Sequence, residues 1–430
     1  MILCMINKTK RLIKSGLKKS EQILKIDTTY LITGGFWLSI GQVAATSTGF
    51  LVALSFANFV SPEVYGNYKY ILSLVSTLTL FTLPGINSTV ATAVATGSEG
   101  NFIPGILKKI RWGLLGSLSS LCVALYFYHV ENNSVLAINF VIVSVFIPFM
   151  DSFGLYNTYL QSKKLFKESI IYFVISQCLA TLCLIAAIFF SKNLFIILLT
   201  YFLIWTSLRL FFLFKTIKKH PPNSHIDNRV ESYGNHLSFL GIIGNLTNYL
   251  DSLLLFHFLG PLQVAIYNIA IAPPEQIRGL SKNIPSLALP KLAHRSFAEI
   301  KSTLRKRLWW LFWLGLFCAV LYYFAAPLIY KYLFAKYTAS LIYSQIFAFS
   351  LAIRLPLSLF NTALQSKILQ QPKRWLYYGT ASQLIYILYL FVLTYLYGII
   401  GIIISRYISY IISYIITWWQ WRLLLRLHNE

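Results

Sequence analysis

The sequence predicts an all-α, polytopic membrane protein of about a dozen transmembrane helices. Three observations carry this: apolar runs long enough to cross a bilayer recur along the whole chain, the connections between them alternate in charge, and the second half echoes the first. Hydrophobic residues make up 57% of the 430, the mean hydropathy is +0.64, and only 12% of residues are charged. A soluble domain carries about 25% charged residues, so an apolar surplus of this size needs lipid as its solvent.

A spanning helix takes about 20 mostly apolar residues. Such runs lie at about 31–57, 64–96, 112–129, 135–157, 168–190 and 194–214. A second set lies at about 237–259, 264–290, 308–333, 339–364, 375–397 and 399–421. Loop charge tests this map. With the N-terminus inside, the cytoplasmic connections hold Lys108, Lys109 and Arg111, then Lys163, Lys164 and Lys167, then Lys215, Lys218, Lys219 and Arg229. Further on they hold Lys291 to Arg307, then Lys367, Lys373 and Arg374. The opposite connections hold only Lys192, Lys331 and Lys336. Cytoplasmic loops retain Lys and Arg, so the alternation sets the span count and puts both termini in the cytoplasm. Tryptophans such as Trp37, Trp112, Trp309 and Trp418 fall at the cytoplasmic span ends, where indole rings favour the headgroup interface.

The net charge of +24 therefore reports topology, not nucleic-acid binding. The five cysteines form no Cys-x-x-Cys pair and no zinc-like spacing with histidine, so neither a metal site nor a disulfide framework is expected. No phosphate-binding glycine loop is present, and no extramembrane stretch is long enough to fold as a nucleotide-binding domain. ATP hydrolysis and organic cofactors are excluded on that basis. Residues 1–30 interleave lysines with Leu12, Ile13, Leu17 and Ile23, as a basic helix on the inner leaflet or a basic tail would.

The chain repeats itself. Val60-Ser61-Pro62-Glu63-Val64-Tyr65-Gly66-Asn67-Tyr68 aligns without gaps on Leu259-Gly260-Pro261-Leu262-Gln263-Val264-Ala265-Ile266-Tyr267. Asn157-Thr158-Tyr159-Leu160-Gln161-Ser162-Lys163 aligns on Asn361-Thr362-Ala363-Leu364-Gln365-Ser366-Lys367. Each match follows the same span of its half. The expected organisation is a basic segment (1–30), a six-helix lobe (31–214), a linker (215–236), a second six-helix lobe (237–421) and a short tail (422–430). The lobes are expected to be related by a pseudo-two-fold axis along the membrane normal, with a cavity between them.

Charges inside spans are expensive and should face protein or water. The basic ones are Lys69, Arg278, Lys282, Arg354 and Arg406; the acidic ones are Asp151, Asp251 and Glu275. Glu275, Arg278 and Lys282 follow i, i+3, i+7 spacing and share one helical face, beside backbone expected to be interrupted by Pro273-Pro274, Pro285 and Pro290. Arg as a bidentate fork and Lys as a point charge make a phosphate-binding wall. A structural Glu275–Arg278 pair is the alternative, and it would leave one positive charge over. Arg354 and Arg406 are either cavity lining or partners of Asp151 or Asp251. Lys69 lies close enough to the outer interface to snorkel. The acidic residues are ion-coupling sites or partners of arginine.

Ala57-Asn58-Phe59-Val60-Ser61-Pro62-Glu63-Val64-Tyr65-Gly66-Asn67-Tyr68 resembles a pattern of polysaccharide-biosynthesis transporters. So do Tyr249-Leu250-Asp251, Phe258-Leu259-Gly260-Pro261, Tyr267-Asn268-Ile269-Ala270 and Pro290-Lys291-Leu292-Ala293. These are the O-antigen (Wzx-type) flippases, of the superfamily that holds the multidrug and toxic-compound extrusion antiporters and the lipid II flippase. The resemblance implies a V-shaped pair of lobes working by alternating access in the bacterial inner membrane. It implies an undecaprenyl-pyrophosphate-linked oligosaccharide as substrate, and the polysaccharide polymerase and chain-length machinery as partners. Cationic cavities are a theme of the group that Arg278, Lys282, Arg354 and Arg406 match in type. A drug/cation antiporter would need an acidic cavity. A polymerase-type membrane enzyme would need a large periplasmic loop, and every predicted periplasmic loop here is short.

Overall fold

A computed structural model describes residues 28–279, 292, 297–367 and 375–427. In chain order the helices are α1 (Thr28–Phe59), α2 (Pro62–Leu78), α3 (Gly85–Ala95), α4 (Phe102–His129), α5 (Ser134–Phe153), α6 (Leu155–Ser162), α7 (Phe166–Phe190) and α8 (Leu194–Lys219). They continue as α9 (Arg229–Leu246), α10 (Leu250–Gly279), α11 (Phe297–Leu333), α12 (Ser340–Ala348), α13 (Ser350–Gln365) and α14 (Trp375–Leu427). No strand occurs among the described residues. Large apolar side chains cover the outside: Trp309, Phe317, Phe324 and Leu388 are each more than 60% exposed, as lipid-facing residues are.

Within the described residues each predicted span falls mainly on helix, though helices and spans do not correspond one to one. α2 and α3 form one span bent by 51°. α10 joins the end of span seven to span eight, and α14 joins span eleven to span twelve, each at a single glycine of positive φ, Gly260 (78°) and Gly398 (58°). The Tyr267 hydroxyl donates to Asp251 at 2.5 Å, and the Asn268 amide reaches the Ser252 hydroxyl at 3.3 Å. A straight helix would hold residues sixteen apart about 24 Å from each other, so the chain reverses at Gly260. The same holds at Gly398, after which Gly401 packs so closely on the Leu393 backbone that a Cβ would overlap the carbonyl. Only glycine takes such a φ without penalty. Span seven is broken instead at Thr247–Tyr249, between α9 and α10. The expected interruption at Pro273-Pro274 does not occur: α10 runs through both prolines to Gly279. Pro285 and Pro290, like residues 1–27, lie outside the described residues.

At three in-helix prolines a neighbouring span repairs the lost hydrogen bond. A proline leaves the carbonyl four residues earlier without its N–H partner. For Pro273 that carbonyl is Ile269, and the Tyr330 hydroxyl of α11 donates to it at 3.1 Å. For Pro148 it is Ser144, which accepts from the Ser117 hydroxyl of α4 at 2.6 Å. For Pro327 it is Tyr323, which accepts from the Gln345 amide of α12 at 3.0 Å. With no water at that depth, these three bonds fix which spans lie beside each other.

The halves of the chain meet differently at their two ends. At the end assigned by loop charge to the periplasm they share one apolar core. Phe56, Tyr65 and Tyr68 from the first half pack with Ala265, Ile269, Tyr330, Phe334 and Tyr337 from the second. Tyr70 stacks on Phe256 with centroids 3.7 Å apart, and a Cβ on Gly66 would overlap Pro261. At the other end each half has its own core, and contacts across combine hydrogen bonds and an ion pair with the packing of Val230 on the first half's core. Gly85 N–H donates to the Ser238 hydroxyl at 2.9 Å, and Lys108 pairs with Glu231 at 2.5 Å. The segment 220–228 between α8 and α9 is strapped to the start of α4. The Asn101 amide donates to the Asp227 carbonyl at 3.0 Å, and Gly100 N–H donates to that of His225 at 3.0 Å.

Tyr330→Phe removes one oxygen and leaves the Ile269 carbonyl unpaired in a dry core. It should cost about 1–2 kcal/mol, read as a fall in melting temperature of the detergent-purified protein. Tyr332→Phe, at a site 72% exposed, should leave the melting temperature unchanged.

Candidate functional site: paired charges inside the membrane

The intramembrane charges gather into three groups. The first is built by α10 and α13. Glu275 accepts from the Arg278 guanidinium at 2.9 Å and from that of Arg354 at 2.5 Å, so one carboxylate holds two arginines 76 residues apart in sequence. Helical spacing places Arg278 one turn after Glu275. Arg354 comes from across the lobe, with its guanidinium over the rings of Tyr410 (5.1 Å) and Phe347 (5.6 Å). Its side chain is 8% exposed against 36% for Arg278. Arg278 is therefore the more exposed guanidinium of this group, and Arg354 is joined to it through Glu275.

The second group centres on Asp251, which is 2% exposed. Its Oδ2 accepts from Tyr267 at 2.5 Å and from Arg406 Nε at 2.6 Å, with Arg406 Nη2 on the same oxygen, and its Oδ1 accepts from Tyr386 at 3.1 Å. A guanidinium and two phenols thus supply donors to both carboxylate oxygens. Tyr410 lies one turn beyond Arg406, so the first two groups adjoin through its ring. Together they hold three guanidiniums against two carboxylates.

The third group lies in the first half. Lys109, with no exposed side-chain surface, donates to Asp151 at 2.7 Å and to Asn87 at 2.7 Å. Thr82 adds a hydroxyl to Asp151 at 2.9 Å. Arg209 turns inward, donating to the Met150 carbonyl at 2.5 Å. Lys109 reads in the sequence as one of three bases in a cytoplasmic loop. In the structure α4 begins at Phe102, which carries Lys109 inside. The signal that could have found it is the lone Asp151 on the neighbouring span, which needed a base. Asp151 thus pairs with neither Arg354 nor Arg406.

Lys69 lies over the Tyr65 ring at 5.6 Å and makes no ion pair among the described residues. Lys282 lies outside the described residues. No group of three or more potential metal ligands occurs among the described residues.

Breaking a buried pair costs about 3–5 kcal/mol, because the partner keeps its desolvation penalty. Asp251→Asn and Arg406→Gln should each destabilise the protein by that order. The double variant should recover a large part of the loss in a thermal double-mutant cycle.

The family described as "Polysaccharide biosynthesis protein" matches residues 31–280, α1 through α10 with Asp251, Glu275 and Arg278 inside the match. No curated protein matches the chain in sequence. Among solved structures, the fold is similar to the lipid II flippase MurJ in an inward closed conformation, with a TM-score of 0.67 at 16% identity over 88% of this chain and 86% of that one. It is also similar to a multidrug resistance MATE family transporter of the MOP superfamily. The inward-facing conformation gives a TM-score of 0.66 at 11% identity, covering 90% of this chain and 99% of that one. The outward-facing conformation gives 0.60 at 14% identity, over 91% and 96%. With a family match spanning more than half of its length, this multi-pass membrane chain belongs to the polysaccharide biosynthesis protein family.

Proposed function

We propose that the chain is a flippase. It moves an undecaprenyl-pyrophosphate-linked oligosaccharide, an O-antigen or related repeat unit, from the cytoplasmic to the periplasmic leaflet of a bacterial inner membrane. The observation that carries this reading is the Glu275–Arg278–Arg354 group: two arginines gathered on one carboxylate at membrane depth, Arg278 the more exposed of the two. The lipid tail stays in the bilayer while the pyrophosphate meets Arg278. A guanidinium carries five donors, and a phosphate oxygen accepts them in the same fork geometry as a carboxylate. Glu275 keeps the arginines compensated when no substrate is bound, and a diphosphate competes for the same donors. Lys282 and Lys69 are further cations for the same path. The repeat unit then passes to a polysaccharide polymerase and its chain-length machinery. Opening at the cytoplasmic end exchanges polar contacts for water, while the apolar core at the other end stays shut; reversing the two gives alternating access.

A drug/cation antiporter is the second reading, since the fold is also that of a multidrug transporter. It requires a carboxylate free to attract a cation. Asp151, Asp251 and Glu275 are each engaged by Lys or Arg, which disfavours it.

The test is genetic complementation with the host's own polysaccharide as readout. Deletion should abolish surface polymer and strand lipid-linked repeat units on the cytoplasmic leaflet. Arg278→Ala, at wild-type protein level, should restore roughly a tenth of the polymer or less, and Arg278→Lys more than that, since a point charge replaces the fork. Repeat units that reach the periplasm unpolymerised in the deletion strain would overturn the flippase reading.

A further inference from the structure

The second half of the chain contains a cavity of its own, distinct from the seam between the halves. It has a volume of about 500 Å³ and lies between the Thr247–Tyr249 break, α13 and the two spans of α14. Arg406 and Gln420 both line it, and helical rise sets them about 20 Å apart, so the space is elongated. Its wall mixes apolar surface, such as Leu364 and Ile416, with neutral groups that both donate and accept: amides such as Asn248, Gln365 and Gln383, and hydroxyls such as Ser413. No lining residue is acidic among the described residues, and Arg406, the one base, is already paired with Asp251. Such a wall offers a cation no counter-charge. It offers a phosphate only a base that is already engaged. It suits a ligand whose surface is a dense array of hydroxyls, and the volume lies in the range that buries a small ligand.

Two details mark the space as built. The first is the repeated motif. In the first half the Ser169 hydroxyl donates to Asn157, and the Gln161 amide donates to Ser169 at 3.2 Å, so α6 and α7 close on each other. In the second half Asn361 accepts from Thr417 at 2.7 Å, while the counterpart of Gln161, Gln365, lines the cavity and is exposed. The same motif thus seals one half and faces open space in the other. The second detail is Gly244, where a Cβ would stand 3.1 Å from the Gln383 amide nitrogen. Its absence leaves that amide room at the broken part of span seven. Irregular backbone at this depth is tolerated where it lines a cavity.

The geometry points to this cavity as a binding subsite for neutral sugar residues of the glycan, beside the arginines that take the pyrophosphate. The inference rests on the flippase reading for the identity of the ligand, and it adds a location and a division of labour. Amides and hydroxyls read the sugar, and guanidiniums read the phosphates. Recognition by many neutral hydrogen bonds discriminates between glycans and releases them when water returns.

The experiment compares two probes on the full chain in lipid nanodiscs. One is undecaprenyl pyrophosphate without sugar; the other is the lipid-linked oligosaccharide extracted from the host strain. Wild type should bind the glycolipid roughly tenfold or more tighter, because buried polar groups left unpaired penalise the sugar-free lipid. Ser413→Phe, which fills the space, and Gln383→Leu, which removes an amide, should bind the sugar-free lipid as wild type does and lose the preference for the glycolipid. Sugar-free binding thereby reports that each variant is folded. Retention of the preference in both variants would overturn the subsite, as would equal wild-type affinity for the two probes or equal loss of both probes in the variants. Wild-type failure to bind either probe would overturn the flippase reading itself.

Discussion

The fold turns on one carboxylate. Asp251 sits at membrane depth, 2% exposed, where an unpaired charge is among the most costly features a chain can carry. It belongs to span seven. Its partners come from span eight (Tyr267), span eleven (Tyr386) and span twelve (Arg406). Satisfying one anion therefore ties four spans at a single point. It also explains the two sharpest turns in the chain. Gly260 must reverse the backbone for Tyr267 to come back beside Asp251, and Gly398 must do so for Arg406 to come back beside Tyr386. The sugar-sized cavity is what remains between spans seven, ten, eleven and twelve after that knot has drawn them together.

Pairing of this kind stabilises each half internally and leaves the contact between halves to other forces. The ion pairs of Asp151, Asp251 and Glu275 all close within one half. What crosses is an apolar core at one end and, at the other, a set of hydrogen bonds with one exposed ion pair and the packing of Val230. These are unequal barriers. Hydrogen bonds at an interface exchange with water at little net cost, and an exposed ion pair contributes about 0–1 kcal/mol. Separating packed tyrosine and phenylalanine rings exposes apolar area to water, at about 25 cal/mol per Å². The end assigned to the cytoplasm is the easier one to part.

The span map was legible because lipid imposes a length on each apolar run and membrane insertion sorts the charges between them. Both signals are local, and they resolve spans eleven and twelve, which are joined only by the reversal at Gly398 within α14. The site was legible only as a set of residues. That the Glu275–Arg278 pair exists follows from helical spacing; that Arg354 joins it, 79 residues away, depends on packing no local pattern encodes. Lys109 shows the same limit from the other side. Counted as a loop charge it fits the alternation, yet it is buried against Asp151, because α4 starts a turn or more earlier than hydropathy indicates. The prolines misled in the opposite direction. Pro273-Pro274 reads as a break, and the helix survives because Tyr330, on a different span, supplies a donor to one of the two orphaned carbonyls.

A carrier of a charged lipid faces a constraint that a receptor does not: what admits the diphosphate must also let it go. Isolated arginines at membrane depth would bind phosphate tightly and would be costly while empty. Glu275 addresses both problems. It offsets one of the two positive charges of Arg278 and Arg354, and under the proposed function it would compete with phosphate for their donors. The anion then gains only the difference between two similar sets of charge-assisted hydrogen bonds, together with the single excess positive charge of the two adjoining groups. A cavity wall of amides and hydroxyls applies the same logic to the sugar, since each bond made to the glycan replaces one that water would make. Under the proposed function, recognition is weak, reversible and spread over many groups.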